Sequence, residues 1–132
     1  MMSSEEVICS TLFEAFPTWS WRWDDRFGAV LAEFGAADQV KVRDVLIGLF
    51  AAVWDQFTID TAPDAVQKMK SHFGGLMPGQ LLFGSDPGRE SFLCCAWWPW
   101  ANGKTVSLRI APVFGKDPGA EGIQKFKGRF GL

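Results

Sequence analysis

The spacing of apolar residues along the chain changes period once, near Gly75. Before that point apolar positions recur at helical intervals. Ile8, Leu12 and Phe16 fall at i, i+4 and i+8, Ser3 and Glu6 form a capping box ahead of them, and Pro17 ends the segment. Phe27, Val30, Leu31 and Phe34 fit i, i+3, i+4, i+7, with Asp24 as a cap and Gly35 as a left-handed stop. A longer helix is expected from Asp38 to about Phe57, through Val42, Val45, Leu46, Leu49 and Val53; Phe50, Ala51, Ala52 and Trp54 widen its apolar arc. Thr61-Ala62-Pro63-Asp64 reads as a fresh helix start, followed by Val66, Met69 and Phe73. Between the first two helices, Trp19, Trp21 and Trp23 alternate. They suit either a strand or an irregular link over the core, and the flanking helices favour the link.

After Gly75 the period becomes two. Gln80 to Gly84 reads as a short strand between turns. Asn102-Gly103 is a hairpin signal, since both residues tolerate the positive φ of a type I′ turn. That turn pairs Ala101 with Lys104 and aligns Trp97 with Leu108, Cys95 with Ile110, Trp98 with Ser107 and Ala96 with Arg109. The register tests itself. Leu93, Cys95, Trp97, Leu108 and Ile110 then share one face, and a one-residue slip would mix Ser107 and Arg109 into it.

The expected fold is α+β. A group of about four helices over 1–75 packs on a three-stranded antiparallel β-meander over 80–114, with a short helix or tail over 115–132. A length of 132 residues suits a single domain. Ile123, Phe126 and Phe130 make the last segment weakly amphipathic.

Apolar residues at 48% and charged residues at 21% exclude disorder and suggest apolar surface covered by a partner. No apolar run reaches the roughly 20 residues that span a bilayer, and the acidic start is unlike a secretory signal. Three cysteines, two of them adjacent, read as reduced thiols in a cytoplasmic compartment. Residues 1–66 hold 11 acids and 4 bases, net −7, whereas residues 67–132 hold 4 acids and 9 bases, net +5.

The second face of the hairpin is the candidate site. Phe92, Trp98 and Trp100 are too apolar to leave in water, and Arg109, costly to bury alone, fits over the Trp98 indole. Tryptophan with arginine in an apolar surround is the composition of an interface hot spot. The expected function is therefore a non-enzymatic binding or scaffold protein, homodimeric or bound to another protein through this face. The alternative is a small-ligand module in which Arg109 meets an anion. The competing cover for the face is the C-terminal segment itself. Its bases Lys125, Lys127 and Arg129 form a basic tail interleaved with aromatics, but a pI of about 5.3 disfavours nucleic acid as the partner.

Motifs for catalysis are absent. Gly103-Lys104-Thr105 lacks the upstream glycine and following helix of a phosphate loop. One histidine, His72, forbids a histidine-rich metal centre, and Cys9, Cys94, Cys95 and His72 have no zinc-site spacing, so neither metal nor cofactor is expected. A thiol nucleophile, Cys94 or Cys95 with His72, is the weakest reading, because buried cysteines pack as small hydrophobes. Asp24, Asp25, Asp60 and Asp64 sit at expected helix starts, where capping accounts for them.

Overall fold

A computed structural model describes residues 3–132. Ten regular elements follow in chain order: α1 (Ser4–Ala15), β1 (Arg22–Asp24), β2 (Ala29–Gly35), α2 (Gln39–Leu49), β3 (Ala52–Trp54), α3 (Asp64–His72), β4 (Leu81–Gly84), β5 (Phe92–Pro99), β6 (Thr105–Val113) and α4 (Gly119–Gly128). The strands form one antiparallel six-stranded sheet in the order β1-β2-β6-β5-β4-β3. The class is α+β, as expected, but a three-stranded meander is incorrect. β4, β5 and β6 do form a meander, and it is extended by β2 and β1 on one side and β3 on the other.

The missing strands were hidden by apolar continuity. Phe27 to Phe34, expected as a helix, overlaps β2, whose residues Ala29 to Ala32 are all buried. A strand covered on both faces is apolar at successive positions, so period two is lost and a helical stripe can be drawn through it. Gly28 at φ 60° turns the chain between β1 and β2, and Gly35 at φ −72° is no left-handed cap. The helix expected to reach Phe57 stops at Leu49, because Phe50 is already extended at ψ 133°. Phe50 then packs at 5.9 Å from Phe83 while Trp54 turns to the opposite side of the sheet. The start expected at Thr61 falls at Asp64, with the Thr61 hydroxyl donating to the Thr58 carbonyl instead of capping.

Other local expectations hold. Ser3 Oγ accepts from the Glu6 N–H at 3.2 Å and caps α1. The hairpin register is the one the face pattern requires, with Trp97 opposite Leu108, Cys95 opposite Ile110 and Ala96 opposite Arg109. The turn chemistry differs. No residue other than glycine has positive φ among the described residues, so a type I′ turn over Asn102-Gly103 is ruled out. Trp100 N–H donates to the Thr105 carbonyl and Gly103 N–H to the Trp100 carbonyl, so the loop holds residues 101–104 rather than two. Asn102 Oδ1 braces it by accepting from the Lys104 N–H at 2.8 Å. Widening a hairpin loop by one residue at each end leaves the register unchanged.

Helices and loops cover both sides of the sheet. On the first side, Ile8, Cys9 and Leu12 of α1, Val42 and Leu46 of α2, and Phe126 of α4 with Phe130 beyond it pack on Leu93, Cys95, Trp97, Leu108 and Ile110. Trp19, Trp21 and Trp23 join this side, partly buried; Trp19 stacks on Phe16 at 4.0 Å and on Phe34 at 5.0 Å. The link reading of the tryptophan segment is therefore corrected at Trp23, which lies in β1. On the second side, Ile59, Ala62, Val66 and Phe73, from α3 and its flanks, pack on Phe92, Cys94, Ala96 and Ala111. Among the described residues no helix is long and apolar enough to cross a membrane.

Candidate functional site

Phe92, Trp98 and Arg109 lie together on the second side of the sheet, but that side is not open. Phe92 is 1% exposed, beneath the chain's own 54–73 segment and α3. Trp98 is half-buried against Phe27 at 5.7 Å and Phe73 at 5.5 Å. The cover over Phe92 is thus the chain's own segment before Gly74, not the expected C-terminal lid. Phe126 and Phe130 insert on the opposite side. Trp100 stands apart at the hairpin end, 44% exposed, its Nε1 donating to Ser107 Oγ at 2.6 Å.

Arg109 does lie over Trp98, its guanidinium carbon 4.8 Å from the ring centroid, and also over Phe27 at 5.1 Å. Its Nε donates to Asp24 Oδ2 at 3.0 Å. The two side chains are 17% and 14% exposed, so the charge is paired where it is half-sequestered. Asp24 Oδ1 meanwhile accepts from the Arg26 N–H at 3.0 Å. Asp24, expected to cap a helix, instead anchors the β1–β2 turn to β6. Arg109 thus holds the turn wall, with its Nε and its charge engaged by Asp24.

The turn it holds forms one edge of an open groove of about 920 Å3. Phe27 and Gly28 of the turn, Lys68, Met69 and His72 of α3, Ala111 and Pro112 of β6, and Ala120, Ile123, Gln124 and Lys127 of α4 surround it. The α4 positions follow i, i+3, i+4, i+7, a single helix stripe. Hence α4 has two working faces: Phe126 enters the first core, while Ile123 faces the groove. His72 Nε2 donates to the Phe27 carbonyl at 2.6 Å and ties α3 to the turn.

The basic tail is divided by this geometry. Lys127 borders the groove, with its ammonium 4.5 Å from the Trp23 ring centroid. Lys125 and Arg129 point toward α1, where Arg129 lies 3.6 Å from Glu6. None of the ion pairs among the described residues involves Lys68 or Lys127.

The thiols offer no nucleophile. All three are buried and reduced. Burial pushes Cys94 up to about 12 and Cys9 up to about 11, with the Arg129 charge opposing part of the latter, and holds Cys95 well above its ordinary value. Among the described residues no hydrogen bond joins a cysteine to His72, and no group of three or more His, Cys, Asp or Glu side chains gathers for a metal. Native protein at pH 7.5 is expected to resist iodoacetamide at all three thiols until it unfolds; labelling of Cys94 faster than global unfolding would contradict this. Raised folded-state values also stabilise the protein below the ordinary thiol value of 9.0 and lose that contribution as pH rises toward about 12. Cys94→Ala should therefore flatten the fall in stability with pH between 9 and 12. Mass spectrometry and urea melts report the two outcomes.

Sequence reasoning did not find the groove. Its walls come from residues near 27, 68–72, 111 and 120–127, and no local pattern links them. Comparison with protein-family models, curated proteins and solved structures gives no match.

Proposed function

We propose that the chain is a non-enzymatic small-ligand-binding module, with the groove between α3 and α4 as its site. The observation that carries this reading is the groove itself, about 920 Å3 with Phe27, Met69, Ala111, Pro112 and Ile123 along it and a few polar groups at its margin. A concave, mostly apolar site with a small number of placed polar groups is the usual form of a small-molecule pocket. The turn wall is held by the Asp24–Arg109 pair and the His72–Phe27 hydrogen bond, which favours a pre-formed site and lowers the ordering cost of binding.

Nile red, which is neutral, isolates this reading from any question of charge. It should bind saturably at one site with a blue-shifted emission. Ala120→Trp, at an exposed groove position, should weaken binding at least tenfold while leaving the melting temperature near that of the parent. Absence of saturable binding, or equal binding by the filled variant, would remove the groove as the site.

A further inference from the structure

We propose that the groove takes a free linear amphiphile with one anionic head, of which a medium-chain fatty carboxylate is the simplest case. This rests on the groove being the ligand site. Cations approach from both walls, Lys68 on α3 and Lys127 on α4, while Asp117 is the single acid at the margin. Neither ammonium has an ion-pair partner among the described residues. Lys127 is positioned by the Trp23 ring, a contact that orients the charge without neutralising it. An anion arriving between them meets unmatched positive charge beside apolar surface, with less screening at the partly buried Lys127 than at the exposed Lys68. A neutral molecule of the same tail forgoes that attraction, and a cationic one is repelled.

The tail follows from the helix stripe. From Ala120 to Lys127 the lining of α4 runs roughly 10 Å at 1.5 Å per residue. Ala120 and Ile123 lie along that line, and Met69 and Pro112 line the same groove. An extended hydrocarbon matches such a strip better than a compact ring system. His72 spends Nε2 on the Phe27 carbonyl, leaving Nδ1 as a further polar atom at the margin.

Displacement of Nile red by decanoate, decanol and decyltrimethylammonium, all kept monomeric, tests the proposal. Decanoate should displace at least tenfold better than decanol, and the cationic amphiphile least well. Lys68→Gln and Lys127→Gln should each reduce the decanoate preference severalfold and leave decanol unchanged; the exposed Lys68 position guards against a folding artefact at Lys127. Decanol competing as well as decanoate would overturn the proposal while sparing the groove reading. Failure of all three to displace bound Nile red would overturn it as well, and failure of Nile red to bind would sink the groove reading itself. Co-flotation with anionic phospholipid vesicles in the absence of decanoate displacement would assign the lysines to a lipid surface and also overturn it.

Discussion

Trp97→Ala is expected to lower the unfolding free energy by about 3–5 kcal/mol, the range for truncating a core aromatic. Trp97 is fully buried in β5, opposite Leu108, with Phe34 edge-on at 5.4 Å and the Arg43 guanidinium 5.2 Å from its ring centroid. Its removal leaves a cavity in the middle of the first core, between sheet and helices. Trp98→Ala should cost distinctly less, since that ring is only half-buried at the far side of the same strand. Trp97→Phe makes an informative companion. Trp97 Nε1 is buried without a hydrogen-bond partner, so exchanging the indole for a benzene ring loses area but also removes an unsatisfied donor. Urea melts of the three variants should rank the losses Trp97→Ala, then Trp98→Ala and Trp97→Phe. Equal losses for the two alanine variants would mean that both rings carry the same share of the core.

Arg109→Ala is the second large effect, with an expected loss of about 2–4 kcal/mol, near the lower end for breaking a sequestered ion pair because both groups keep some water. The substitution removes the partner of Asp24 and the cation over Phe27 and Trp98. Asp24→Asn should cost less, as the amide oxygen still accepts from the Arg26 N–H. In a double-mutant cycle the two changes should couple by at least 0.5 kcal/mol, as residues in direct contact do. Additive losses would show that the pair is incidental. Because Asp24 and Arg109 fix the turn bearing Phe27, both variants should also bind Nile red more weakly than their stability alone accounts for.

Legibility of this fold in its sequence followed solvent exposure. The hairpin of β5 and β6 was readable because β6 alternates strictly, Val106, Leu108 and Ile110 against Thr105, Ser107 and Arg109. The strand β2 was not, because Ala29 to Ala32 are buried at successive positions and Glu33 is its one charged residue, too little to set the period. Trp54 widened an apparent helical arc although it belongs to a short edge strand that sends it into the second core. The proximity of Arg109 to Trp98 came from pairing geometry alone. Its partner Asp24, 85 positions away, could not be inferred before β1 and β2 were known to be strands. For the same reason the groove was invisible: Lys127 was singled out as part of a basic tail, but its relation to Met69 and Phe27 exists only in the folded chain.

The proposed ligand site between α3 and α4 is open to a direct test. Methyl-labelled protein titrated with decanoate, and separately with decanol, tests it residue by residue. The Met69 ε-methyl and Ile123 δ1-methyl signals, on the two walls, should shift together and saturate, while those of Leu12, Leu46 and Leu108 in the first core stay in place. Unmoved Met69 and Ile123 signals with both ligands at saturating concentration, or shifts centred on the first core, would contradict it.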